Sequence, residues 1–167
     1  MNICEITSGY RRIPPEQIAP IETYILNISR QMSLSGHNVT IIDRRYSKAD
    51  QSQERLDGVT ITRLDAWKYH FGLLARIRPL ARFLSRVQFA LDEVSFTLAI
   101  RRYLSQNRFD IIHIHSPVMG LPLALFSSRI RKKLVYTSHI NIMLYDPSVL
   151  KSSLWERAHT VLNYAFM

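Results

Sequence analysis

Two histidines stand one residue apart in the run Phe109–His115, FDIIHIH. In a β-strand alternate side chains share a face, so His113 and His115 point one way and Ile112 and Ile114 the other. Two imidazoles on one face raise the question of a metal. A zinc site needs three or four ligands. A third histidine, His139, ends a later apolar run and could lie nearby, but Cys4 is the only thiol and no further ligand is spaced to help. The expectation is therefore no metal, with His113 a hydrogen-bonded core histidine. Cys4 lies in an alternating apolar run, where packing explains it better than reactivity. Glu22 falls in the first turn of a helix pattern, where a carboxylate suits the macrodipole. That role and a place in a site both stand open for it. His37 follows Gly36 in a turn and reads as structural.

The elements that must carry these residues alternate. Asn2–Thr7 reads as a β-rich run ending in Ser8-Gly9. The loop 10–20 holds three prolines, Pro14, Pro15 and Pro20. Ile21, Tyr24, Ile25, Ile28 and Met32 then fall on one helix face, with Gly36 as the stop. Residues 38–43 and 59–64 read as strands, with a polar surface loop over 44–57. A long helical stretch covers about 69–106, with breaks expected near Pro79 and Phe89. A strand at 110–115 leads to Ser116-Pro117, an N-cap and first helical position, and the helix continues over 121–130. A strand at 133–138 and a helix from about 152 complete the order. Strands alternating with helices predict an α/β fold: an open, mostly parallel, Rossmann-like sheet with helices on both faces.

In such a sheet, ligands bind beyond the carboxyl ends of the strands. Four segments should meet there: the loop after Gly9, the chain after Asp43, His115-Ser116-Pro117, and His139-Ile140-Asn141.

Three regions, the opening and two later strands, resemble a known family. Ile13-Pro14-Pro15-Glu16, Ile21-Glu22-Thr23-Tyr24 and Ser35-Gly36-His37-Asn38-Val39-Thr40 resemble the opening of the family-4 retaining glycosyltransferases of the GT-B fold. Asp110-Ile111-Ile112-His113-Ile114-His115 is similar to that family's Asp-hydrophobic-hydrophobic-His-x-His strand. Val135-Tyr136-Thr137-Ser138-His139 is similar to its next strand, which ends in Thr-x-His. The resemblance implies one Rossmann-like domain over residues 1–167, the acceptor-side half of such an enzyme. It implies His115 as a catalytic-site residue facing the reacting sugar, with Gly9, Glu22, Ser116, His139 and Asn141 lining the substrate cleft. It also implies a nucleotide-sugar substrate, no metal and no cofactor. The family's loop before the helix Glu carries one or two glycines, whereas this chain has Gln17, Ile18, Ala19 and Pro20 there. Pro20 fixes φ and removes a backbone donor, so either the loop takes another path or anion binding at that helix end is weakened. The family's donor domain carries two Glu residues with seven residues between them, and no such pair occurs here. The last helix pattern runs to Met167 without a C-cap signal. The expectation is that the C-terminal donor-binding domain is absent, through truncation or because it belongs to another chain.

The chain carries 22 Lys and Arg against 13 Asp and Glu, a net charge of +9 that invites an anionic partner. Arg78, Arg82 and Arg86 form a row at i, i+4, i+8 beside an apolar stripe, with Trp67, Tyr69 and Phe71 before it. Basic and aromatic residues together favour anionic headgroups, although an amphipathic helix with solvated arginines gives the same pattern. No nucleic-acid motif accompanies the charge. No apolar run reaches the ~18 residues that span a bilayer, and Met1–Thr7 lacks the features of a signal peptide. The expected location is cytoplasmic, with a possible peripheral place at the inner face of the membrane. The expected function is acceptor binding in hexose transfer with retention, the acceptor being a sugar or lipid-linked sugar. The competing expectation is a non-catalytic, membrane-associated subunit that recruits a separate donor-binding domain.

Overall fold

Residues 1–67, 78–137 and 139 are described by the computed structural model. Asn141, the stretch before Arg78 and the expected terminal helix lie outside them. The elements follow in the order β1 (Asn2–Ile6), α1 (Pro20–Leu34), β2 (Asn38–Arg44), β3 (Gln53–Leu56), β4 (Val59–Leu64), α2 (Arg78–Gln106), β5 (Ile111–Ile114), α3 (Pro117–Phe126), α4 (Ser128–Arg131) and β6 (Leu134–Tyr136). They build one six-stranded sheet in the order β3-β4-β2-β1-β5-β6. All neighbours run parallel except β3, which pairs antiparallel with β4 at the edge.

The central strands β1 and β2 bury both of their faces, because helices cover the sheet on both sides. On one side Ile3, Val39, Ile41, Val59 and Ile61 pack with Ile25 and Leu26 of α1. On the other, Cys4, Ile6, Ile42, Ile112 and Ile114 pack with Phe96 and Ile100 of α2 and with Met119 and Leu123 of α3. Cys4 is fully buried, and burial pushes its thiol pKa well up, so it packs and does not react. The α1 end closes as the Gly36 signal implies: Gly36 takes φ +84°, its N–H donates to the Ser33 carbonyl at 3.0 Å, and the His37 N–H donates to the Met32 carbonyl at 3.1 Å.

Three expectations change. The 44–57 stretch is not all loop: Gln53–Leu56 forms β3, joined to β4 by Asp57-Gly58, both at positive φ. That dipeptide is a strong hairpin signal; the strand itself is short, polar and at an edge, so it lacks the apolar alternation that marks the others. The helix expected through 121–130 is two, because Ser127 turns extended and its hydroxyl caps α4 by accepting the Ile130 N–H at 3.3 Å. No break occurs near Phe89, where α2 continues; Pro79 sits in the first turn of its described span, a place that tolerates proline.

Candidate functional site

β1 lies between β2 and β5, so the carboxyl ends of these strands bring the loop 7–20, Asp43 and His115 to one edge. β6 adds Thr137 and His139 beside β5. Register places Glu5 of β1 directly opposite His113 of β5.

Glu5 is wholly buried between the two histidines. Its carboxylate lies 3.0–3.1 Å from His113 Nδ1 and 2.8 Å from His115 Nε2. Burial by itself would raise the Glu5 pKa, but the two imidazoles hydrogen-bonded to it hold it below the usual glutamate range. The network continues outward. His113 Nε2 lies 2.7 Å from the Thr137 hydroxyl, and His115 Nδ1 lies 2.8 Å from His139 Nε2. The Tyr24 ring of α1 stands at a steep angle to His139, with centroids 5.2 Å apart and planes at 73°, and to His115 at 6.1 Å and 77°. Burial lowers the pKa of both His115 and His139, with neighbouring imidazoles adding to the effect, so both rings favour the neutral form.

These distances relocate the histidine roles. His113 is satisfied on both nitrogens, as a core histidine should be. The His115 side chain is fully buried, and both its nitrogens are used within the protein. It does not present a free nitrogen to a sugar; it links Glu5 to His139. His139 is only half-buried and stands beside the half-exposed Tyr24. The ligand atoms of Glu5, His113 and His115 all lie within 4.8 Å of one another, a set that could close around a metal ion. One placement of protons also satisfies all of them without one. Glu5 supplies the third member that the histidine spacing lacked. No local pattern marks it, because it is 108 residues from His113 in the chain.

The other expected site residues are placed as follows. Glu22 is buried and accepts the Ser8 hydroxyl at 3.1 Å, so it ties α1 to the loop after β1. Gly9 takes φ +71°, its N–H donates to the Thr7 hydroxyl at 3.1 Å, and an added Cβ would stand 2.7 Å from the Phe96 ring. Glycine is needed there for contact with α2. Ser116 is buried as the N-cap of α3, its carbonyl accepting the Gly120 N–H at 3.1 Å. Arg86 is exposed on α2, while the side chains of Arg78 and Arg82 lie outside the description.

Two buried charges shape the loop. Asp43, at the end of β2, accepts the Ile13 N–H at 2.9 Å, the Arg44 N–H at 2.8 Å and the Thr7 hydroxyl at 3.0 Å. Arg63 donates to the Ile13 carbonyl at 2.8 Å and to Glu54 at 2.6 Å. On the far side Tyr10 stacks on Phe89, centroids 5.4 Å apart. A groove of about 360 Å³ opens beside this loop, lined by residues such as Tyr10, Arg11, Arg12, Tyr46 and Asp50.

The sequence of residues 21–165 matches the family model for Glycosyltransferase Family 4. The fold is similar to that of sucrose-phosphate synthase from Thermosynechococcus elongatus, at 13% identity and a TM-score of 0.64, over 99% of this chain and 40% of that one. This chain thus spans well under half of the solved synthase. A second solved chain of the synthase from that organism aligns at 11% identity and a TM-score of 0.48, over 98% of this chain and 97% of that one. No curated protein matches.

Proposed function

We propose, because this chain belongs to glycosyltransferase family 4, that it is the acceptor-binding domain of a hexose-transferring enzyme. One observation carries the reading. The buried polar chain from Glu5 through His115 ends on half-buried His139 beside the Tyr24 ring, at the carboxyl edge of a parallel sheet. A hydrogen-bonding tip next to an aromatic face is what a sugar ring and its hydroxyls require. The nucleotide-sugar would be held by a second domain, on this protein or another, with the sugar passing across the cleft between them. Residues 17–20 include no glycine, so the backbone there is ill suited to approach a diphosphate closely. We place the reaction among retaining, metal-independent transfers, and the protein at a cytoplasmic membrane face, with a sugar or lipid-linked sugar as acceptor.

The test is a titration of this chain, followed by NMR, with UDP-glucose and GDP-mannose and with neutral sugars and sugar phosphates. Acceptor-type sugars should perturb Tyr24 and His139, and the nucleotide-sugars should not. Tight binding of a nucleotide-sugar, with no response to any sugar, would overturn the acceptor assignment.

A second reading, a membrane-associated subunit that recruits a donor-binding domain, draws on Arg86. It is exposed on an unbroken α2 that also carries Arg78 and Arg82 at helical spacing.

A further inference from the structure

Proton positions around Glu5 follow from its chemistry. An ionised carboxylate has only acceptors to offer. His113 Nδ1 and His115 Nε2 must therefore both carry hydrogen where they meet it at 2.8–3.1 Å. A neutral His115 then has a bare Nδ1, which can only accept, so the hydrogen in its 2.8 Å contact with His139 belongs to His139 Nε2. In the same way His113 Nε2 accepts from the Thr137 hydroxyl at 2.7 Å. Every member is satisfied with three neutral rings. The remaining ring nitrogen, His139 Nδ1, is bare and has no hydrogen-bond partner among the described residues.

Reversing the protons fails. His115 as the Nδ1–H form would turn its bare Nε2 on the carboxylate, lone pair to lone pair, inside a closed core where such a clash is not relieved by water.

We propose that Glu5 is a positioning residue: through His115 it holds His139 in the Nε2–H tautomer, so that His139 presents Nδ1 as the acceptor for a sugar hydroxyl. Only the final clause, the sugar, rests on the family-4 reading. The device explains why a carboxylate is kept in the middle of β1, between core residues Cys4 and Ile6. It sets the hydrogen-bonding sense of a surface ring from inside the sheet.

Long-range ¹H–¹⁵N correlation spectra of the histidine-labelled chain near pH 8 read tautomers directly. In the native chain His115 and His139 should both be Nε2–H. In Glu5→Leu the His115 Nε2–H loses its acceptor, and an orphaned buried donor costs more than an unused acceptor. His115 should convert to Nδ1–H and donate to His139, whose ratio of Nε2–H to Nδ1–H should fall by roughly tenfold, the equivalent of one buried hydrogen bond. A folded Glu5→Leu chain with the His139 tautomer unchanged overturns the proposal. So does a native His115 in the Nδ1–H form, which is what a metal on its Nε2 would impose. Should Glu5→Leu not fold, His115→Phe removes the link instead: Nδ1–H signal appearing at His139 supports the proposal, and no change overturns it. None of these measurements needs a sugar. A chain that passes them but binds no sugar refutes the acceptor-binding reading alone.

Discussion

Asp43 accepts the N–H of Ile13 at 2.9 Å across thirty positions of sequence, and through that bond the end of β2 fixes the loop after β1. The bond is inside the core, and Asp43 is fully buried. Arg63 holds the carbonyl of the same residue, so the backbone of Ile13 is clamped on both sides. Asp43→Ala would leave three buried donors without an acceptor. The expected loss is about 3 kcal/mol, at about 1 kcal/mol or more per orphaned donor, read as a fall in the urea midpoint at unchanged slope.

Burial, only partly offset by its hydrogen bonds, raises the Asp43 pKa from 3.8 to about 6. A folded-state pKa above the unfolded one gives stability that is complete below the unfolded value. That stability is lost as pH rises through the folded value, here between about pH 4 and 6. The loss is up to about 3 kcal/mol at 1.36 kcal/mol per unit. Asp43→Asn has no charge to bury, so its stability relative to the native chain should rise across that window. Denaturant titrations of both proteins at pH 4, 5, 6 and 7 would show a constant difference if Asp43 did not titrate there.

His115 and His139 act in the opposite direction. Burial holds both folded-state pKa values below the 6.5 of a free histidine. Their contribution is present above that value and is lost as pH falls below it, because the unfolded chain takes up protons more readily. His139→Gln should therefore lose less stability than the native chain between pH 7 and pH 5. Equal losses in the two proteins would show that the His139 ring is not held neutral by its surroundings.

Gly9 combines a left-handed backbone, φ +71°, with a Phe96 ring 2.7 Å from where a Cβ would stand. Gly9→Ala should cost about 2–5 kcal/mol, the sum of a positive-φ penalty and overpacking. Adding Phe96→Leu should recover the overpacking part but not the backbone part. A double-mutant cycle with no coupling would mean that the loop moves away from α2 instead.

The arginine row offers a separate test. If Arg78, Arg82 and Arg86 serve anionic lipid, their triple change to Gln should weaken sedimentation with anionic vesicles by roughly two orders of magnitude, at about 1 kcal/mol per basic residue. The native binding should weaken with salt. Equal binding of the native chain to neutral and anionic vesicles would leave α2 as a covering helix alone.

Local periodicity was enough for most of the architecture. The strands at 59–64 and 38–43 and the helix from Ile21 to Gly36 were legible because alternation and the 3.6-residue repeat are properties of neighbouring residues, as is the Gly36 closure. The β3–β4 hairpin was not read: residues 44–57 passed for a loop because β3 carries no apolar alternation, although Asp57-Gly58 is a hairpin signal. The meeting of His115 and His139 followed from strand order in an α/β sheet, since both end adjacent parallel strands. What they do there did not. Which residue stands opposite His113 depends on β1 being laid between β2 and β5 in one register, and only that register brings Glu5 to it. The same crossover turns His115 inward and leaves His139 at the surface, and it sets Asp43 on Ile13 and Gly9 on Phe96. A buried charge is stable only where its partners are already placed, so the sequence could name the histidines, but only the assembled sheet could decide which of them faces outward.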